Sequence, residues 1–156
     1  RGGTPAVSSI VGLGVAARAA VKLVEQQNTV SALRDRLEFR LLELVNKVEI
    51  NGQELSRLPN TASLTVGGVL AKQLVLALAN RKIFVSAGSA CSSVKTESSH
   101  VLRAMGRSEL EALCTIRVSL SYSTTPEEVE ALVVALAEEI TKIRTQNLGS
   151  VRELLR

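Results

Sequence analysis

The sequence predicts an α/β fold in which a small sheet is covered by helices. Apolar and polar residues alternate, as in strands, in TASLTV (61–66) and CTIRVSLSY (114–122). Stretches with apolar residues at helical spacing precede and follow these segments. The chain has 156 residues, of which 46% are hydrophobic, so it is long enough to bury a core. Because only 2% are aromatic, that core must be built of aliphatic side chains.

The first third of the chain predicts one very long helix or two helices in sequence. After the turn-like entry RGGTP (1–5), apolar residues recur at helical spacing on both sides of the polar run QQNT (26–29). A long helix near the start of a compact chain often connects two domains. We therefore expect an entry turn and a connecting helix over 1–49, followed by a small C-terminal domain over 50–156.

The C-terminal domain is predicted to run strand, helix, strand, loop, short helices, strand and helix. The helix that follows the first strand is expected over 69–79, and the next strand over KIFVS (82–86). Turn signals and helix caps mark most of the boundaries. They are Asn51-Gly52, Gly67-Gly68, Ser98 or Ser99 with Gly106, the capping box of Ser108 and Glu111, and the helix start at Thr125, Pro126 and Glu128.

Charge and hydropathy exclude several classes of partner. The net charge is +4, but the basic residues are interleaved with acidic ones and form no polybasic run, so we expect no nucleic-acid binding. The scarcity of aromatic residues argues against base stacking as well. No stretch is expected to reach the apolar length that a membrane span needs. We therefore expect neither a nucleic-acid partner nor a membrane.

The chain has two cysteines and one histidine, which is not a disulfide-rich or zinc-binding pattern. So few cysteines indicate a protein of a reducing compartment. We therefore expect a cytoplasmic location, or an organellar one if the source is eukaryotic. No metal site is expected. Cys114 opens an apolar strand and should be a buried thiol. His100 stands at a helix start and should be a surface or packing residue, which disfavours a Cys–His protease.

Cys91 differs because it lies in SAGSACSSVKTESSH (86–100), a run of small residues that predicts a loop. Such a loop offers few apolar contacts and should be mobile and partly exposed. Lys95 and the N-terminus of the following helix would favour the thiolate, which is the reactive form. The residues alone leave two alternatives, a reactive nucleophile and a loop thiol without a role.

Several motifs, in the same order, resemble the C-terminal part of the cysteine desulfurases. These are pyridoxal-phosphate (PLP) enzymes of the aminotransferase class V group. The GSACSS form resembles the branch that includes the iron–sulfur and nitrogenase-cluster desulfurases. The resemblance implies the small C-terminal domain of a PLP-dependent transferase-like fold, with a mobile Cys loop over 86–98. The motifs are RGGTP, SSIVGLGVAARAA, RLPNTASLTV, SAGSACSS, SSHVLRAMG, TIRVSLS and TTPEEVE.

The resemblance also implies roles for three residues. Cys91 matches the nucleophile that takes sulfur from a cysteine–PLP adduct as a persulfide and releases alanine. Arg117 matches the arginine that holds the substrate carboxylate, a role that suits its planar bidentate donor. Thr4 matches the threonine that reaches the PLP phosphate of the neighbouring subunit in a homodimer. A Gly/Ser-rich tether would let the sulfur be made at one place and delivered at another.

In the family, the lysine that binds PLP lies upstream of the position of RGGTP, so the isolated chain is expected to be inactive. The expected substrate is L-cysteine, and the expected partner is a sulfur acceptor or iron–sulfur scaffold protein. Two alternatives stay open. One is a selenocysteine lyase, which uses the same cofactor, and the other is a non-catalytic module that relays sulfur or docks partners.

Overall fold

A computed structural model of the chain describes residues 2–25, 27–87 and 98–154. Two successive helices come first, α1 (Val7–Val24) and α2 (Gln27–Leu44), so the second of the two predicted possibilities is observed. Strands and helices follow in the predicted order, with one additional strand at the start. They are β1 (Val48–Ile50), β2 (Thr61–Val66), α3 (Ala71–Asn80), β3 (Ser86–Ala87), α4 (His100–Ala104), α5 (Glu109–Leu113), β4 (Thr115–Ser119) and α6 (Pro126–Leu154).

Within the described residues, the strands form a 4-stranded antiparallel sheet in the order β1-β2-β4-β3. The two segments in which apolar and polar residues alternate form strands β2 and β4, as predicted. Strand β1 was not predicted, because Val48 also fits the helical spacing of the residues before it. Strand β3 is shorter than predicted, since the Ile83 amide donates to the Leu78 carbonyl at 3.0 Å and is therefore unavailable to the sheet.

One face of the sheet forms the aliphatic core. Helices α2 and α3 pack on this face, and α6 packs against both helices. The predicted apolar side of β2, formed by Ala62, Leu64 and Val66, is fully buried there. Burying a side chain of this size stabilises the fold by about 1.5–3 kcal/mol. The other large side chains that are fully buried are Leu37, Leu41, Val69, Leu74, Leu78, Ile116, Val129, Val133, Leu136 and Ile140.

The predicted helix starts are confirmed by side-chain caps. Ser99 caps α4, and the Ser108 hydroxyl accepts a hydrogen bond from the Glu111 amide while the Glu111 carboxylate accepts one from the Ser108 amide. Thr125 and Glu128 make the same reciprocal pair at the start of α6. These bonds satisfy amide groups that have no partner within their own helix.

Helices α1 and α2 differ in their relation to the core. Helix α2 buries Val30, Leu33, Leu37 and Leu41, whereas no residue of α1 is buried. The last core-facing helix before the sheet is therefore α2. The division into an entry segment over 1–49 and a domain over 50–156 stays a prediction.

The expectation that no stretch has the apolar length of a membrane span is wrong for α1. This helix has 18 residues and a mean hydropathy of 1.6, and by length and composition alone it is sufficient to cross a membrane. Its only charged residues are Arg18 and Lys22, which lie one turn apart on the same side, so they interrupt little of the apolar surface. A core helix of a soluble protein meets the same criterion.

Candidate functional site

Arg117 is exposed on the face of the sheet opposite the aliphatic core. Its neighbours on β4, Ile116 and Val118, are buried, and the alternation of side chains along a strand turns the guanidinium the other way. Ser63 of β2 and Ser86 of β3 are its register partners on the two sides. Among the described residues, the guanidinium has no hydrogen bond or ion pair, which leaves it available to a ligand.

A buried polar network supports this face of the sheet. The Asn51 side-chain amide donates to the Ser63 hydroxyl at 3.1 Å and to the Thr65 hydroxyl at 3.0 Å. The Thr65 and Thr115 hydroxyls are 2.8 Å apart, and Thr115 donates to the Glu111 carbonyl at 2.7 Å. Because Asn51, Thr65 and Thr115 are nearly inaccessible to solvent, these bonds hold β1, β2, β4 and α5 in one arrangement.

A cavity of about 260 Å³ lies beside Arg117, between the sheet and α4. It has both polar and apolar walls, and the residues that line it are Asn51, Ser63, Ser99, Val101, Leu102, Met105, Thr115, Ile116 and Arg117. A small pocket with few polar groups and one unpaired cation suits a small anionic ligand. The arrangement can hold a carboxylate by two parallel N–H bonds from the guanidinium.

The described residues on the two sides of the segment that contains Cys91 are both close to Arg117. On one side, Ser86 pairs with Arg117 and Ala87 pairs with Ile116. On the other side, Ser99 lines the cavity together with Arg117. Cys91 itself and Lys95 lie outside the described residues.

The structure does not bring Thr4 into this site. Thr4 is exposed in the extended segment before α1, and its side chain forms no hydrogen bond with the rest of the described chain. The role implied for Thr4 is contact with a neighbouring subunit, which is a surface position in a single chain. Its contact with a cofactor phosphate stays a prediction.

The other cysteine and the histidine stand where the sequence predicts. Cys114 is 5% exposed, and burial raises the pKa of its thiol, although the Val69 and Gly68 amides partly oppose this. A buried neutral thiol is a poor nucleophile. His100 is exposed at the first position of α4. Neither residue belongs to the site around Arg117.

Comparison with known proteins identifies the family. Residues 1–132 match the family Aminotransferase class-V. The chain belongs to this family. Its class-V relatives include the cysteine desulfurase NifS of Azotobacter vinelandii, which is 40% identical over 145 residues, or 92% of this chain and 36% of that protein. The cysteine desulfurase IscS of Stutzerimonas stutzeri (strain A1501) is 37% identical over 92% of this chain and 35% of its own length.

Solved structures of class-V proteins agree with the fold. A NifS-like protein from Rickettsia africae superimposes with a TM-score of 0.76 at 31% identity, over 89% of this chain and 36% of that structure. The chain thus resembles the cysteine desulfurases in sequence and in structure. It spans only about a third of the length of the relatives and structures that it matches.

Class-V aminotransferases are in general PLP-dependent, but the described residues do not fit the group. A lysine that binds PLP must be enclosed beside a phosphate cradle and a surface that covers the ring. The described lysines are all exposed, and they are Lys22, Lys47, Lys72, Lys82 and Lys142. None of them faces the cavity at Arg117. The position of the cofactor lysine upstream of RGGTP stays a prediction.

Ser63, Ser86 and Asn51 were not predicted as site residues, although Asn51 was predicted to lie in a turn. The alternation in 61–66 does place Ser63 on the polar side of its strand, and this was the available signal. It does not say which residue of another strand stands opposite, because that depends on the register. The polar network around Asn51 could not be predicted either, because it also depends on the strand register.

Proposed function

We propose that this chain is the C-terminal part of a cysteine desulfurase that takes sulfur from L-cysteine. The observation that carries the proposal is the position of Arg117, which is exposed, pairs with Ser86 before the Cys91 segment and shares a cavity with Ser99 after it. Binding of the substrate carboxylate by Arg117 would hold L-cysteine beside the predicted nucleophile. Membership of the class-V family and the likeness to desulfurases support the same function.

The proposed reaction balances without further reactants. The Cys91 thiolate attacks the sulfur of L-cysteine, a new S–S bond forms, and the bond between that sulfur and the β-carbon breaks. The carbon skeleton takes up the proton of the thiol and leaves as L-alanine, while Cys91 carries a persulfide. The part of this chain in that reaction is to bind the carboxylate and to supply the thiol.

The length of the chain limits how far Cys91 can be from Arg117. Cys91 is four residues beyond Ala87, which pairs with Ile116 next to Arg117. Four extended residues span at most about 14 Å. A thiol within this distance of the sheet could reach a substrate held by Arg117.

The cofactor, subunits and partners of the whole enzyme complete the proposal. PLP would be held by residues upstream of RGGTP, with Thr4 contacting the PLP phosphate of the other subunit in a homodimer. The acceptor would be a sulfur-accepting or iron–sulfur scaffold protein in the cytoplasm, or in an organelle if the source is eukaryotic. The exposed apolar surface of α1 would be covered by the remaining two thirds of the enzyme.

The test compares cysteine variants of the complete enzyme loaded with PLP. Persulfide on the protein and alanine release are measured with L-cysteine. We expect Cys91→Ala to abolish the persulfide and Cys114→Ala to retain it, since Cys114 is buried away from the site. Persulfide formation by Cys91→Ala would overturn the proposal and favour a non-catalytic role for this segment. A strong preference for selenocysteine, measured as selenide release, would identify a selenocysteine lyase instead.

A further inference from the structure

Two serines stand opposite Arg117 in the sheet. Ser63 of β2 and Ser86 of β3 are its register partners, so three neighbouring strands carry serine, arginine and serine side by side on one face. Residues directly opposite each other in an antiparallel pair project to the same face, with Cβ atoms about 4.5–5.5 Å apart. Ser63 also lines the cavity beside Arg117, so a ligand that Arg117 holds in this cavity can contact the Ser63 side chain.

Of the two serines, Ser63 has the better defined side-chain position, because its hydroxyl is hydrogen-bonded. Its oxygen accepts from the Asn51 side-chain amide at 3.1 Å. In that bond the hydroxyl is an acceptor, so its own hydrogen stays free. Within the described part of the chain this hydrogen has no acceptor. Ser63 is also half-buried and lines the same cavity as Arg117.

Asn51 is itself held firmly, so it can fix the position of the Ser63 oxygen. It is 4% exposed, its amide N–H donates to the Ser63 carbonyl at 2.9 Å, and its side chain also donates to Thr65. The Ser63 oxygen is therefore anchored from the β1 side, at a residue that lines the cavity together with Arg117. An oriented neutral donor beside a cation is a suitable partner for a carboxylate, which has sites for about four hydrogen bonds.

We propose that Ser63 is a second binding residue for the carboxylate that Arg117 holds, and that Asn51 is its positioning residue. This rests on the proposed function, in which that carboxylate belongs to L-cysteine. Arg117 supplies the charge and two parallel donors. Ser63 donates a further hydrogen bond from the adjacent strand, which fixes the rotation of the carboxylate about the guanidinium axis.

The test measures KM and kcat for L-cysteine on the complete, PLP-loaded enzyme. We expect Ser63→Ala to raise KM about tenfold and to leave kcat within about twofold, because a bond to a charged group is lost equally from the bound substrate and the transition state. Ser63→Thr keeps the hydroxyl and is expected to stay close to the parent. Asn51→Ala is expected to raise KM in the same direction.

The control is Ser119→Ala. Ser119 lies on the same face of β4 as Arg117 but pairs with Thr61. The substitution is expected to change neither constant. A second readout is inhibition by cysteamine, which has the amine and thiol of cysteine but no carboxylate. Ser63→Ala is expected to leave cysteamine inhibition unchanged, and this comparison does not depend on the stability of the variant.

The outcomes separate the inference from the proposed function. If Arg117→Lys raises KM and Ser63→Ala does not, the role of Ser63 is wrong while that of Arg117 stands. If Arg117→Lys leaves KM unchanged, the proposed carboxylate site is itself wrong. An equal rise for Ser119→Ala, or weaker cysteamine inhibition of Ser63→Ala, would assign the effect to the sheet structure and overturn the inference.

Discussion

Arg57 donates hydrogen bonds to both carboxylate oxygens of Glu38, at 2.7 and 2.9 Å. Only 15% of the arginine side chain and 6% of the glutamate side chain are exposed. The hydrogen bonds with Glu38 raise the pKa of Arg57 above its ordinary value. Arg34 adds a bond of 2.7 Å to the Leu58 carbonyl. These contacts tie the segment before β2 to α2.

Removing one partner of this ion pair is expected to destabilise the fold. Glu38→Ala leaves a guanidinium shielded and unpaired, so we expect the free energy of unfolding to fall by about 3 kcal/mol. Urea denaturation measures this loss. The control is Arg36→Ala, since Arg36 pairs with Glu130 at 3.5 Å on the surface and is expected to contribute less than about 1 kcal/mol. Equal losses for the two variants would contradict the prediction.

Gly68 is predicted to be intolerant of a side chain. It has a φ of +81° in the turn after β2, a conformation that L-residues rarely adopt. We expect Gly68→Ala to lower the free energy of unfolding by about 1–2 kcal/mol, measured by thermal unfolding. The matched control is Gly14→Ala in α1, where a Cβ meets no atom within 4 Å. That substitution is expected to raise helix propensity by about 1 kcal/mol. Similar melting temperatures for the two variants would show that the turn does not need a glycine.

Cys114 is predicted to resist alkylation in the folded chain. Burial raises the pKa of its thiol, so little thiolate forms near neutral pH. Only 5% of the residue is accessible to solvent, which also limits contact with a reagent. Mass spectrometry after iodoacetamide treatment at pH 8 measures the modification. A Cys91→Ala background leaves Cys114 as the only thiol. We expect modification in urea and almost none in buffer, and rapid labelling of the native chain would be inconsistent with a buried thiol.

The capping box of α5 is predicted to make stability depend on acid pH. Hydrogen bonds from Ser108 lower the pKa of the Glu111 carboxyl below its usual range. A lowered folded-state pKa stabilises the fold fully above the unfolded pKa of about 4.3, and this contribution is lost as the pH falls through the folded pKa. We expect the melting temperature to fall between pH 5 and 3, and to fall less in Glu111→Gln. Glu54→Gln, at an exposed position, should keep the full dependence.

Helix α1 is predicted to make the isolated chain self-associate. It exposes eight large apolar residues, among them Ile10 at 61% and Leu13 at 71%. Its 18 residues lie at the short end of the range of helix lengths that span a bilayer. Light scattering should show oligomers that Leu13→Glu disperses and that Leu76→Glu on α3 does not. A monomeric parent chain, or binding of α1 to lipid vesicles, would contradict this.

The elements of this fold follow from local chemistry. A capping pair such as Ser108 and Glu111 lies within one turn, and the alternation in β2 and β4 repeats every second residue, so each signal is complete in a short stretch. The branch of the family and the candidate residues Cys91, Arg117 and Thr4 also followed from motifs in sequence order. Strand β1 was missed because three residues are too few to show a period.

The site itself depends on contacts that no short stretch contains. Ser63 and Arg117 are far apart in the chain, and the polar pattern of each strand says which face a residue occupies but not which residue it meets. The pairing depends on how the apolar faces of the strands pack against the helices, which is a contact between distant parts of the chain. Only the tertiary structure therefore shows that Arg117 stands opposite Ser63 and Ser86 in the sheet.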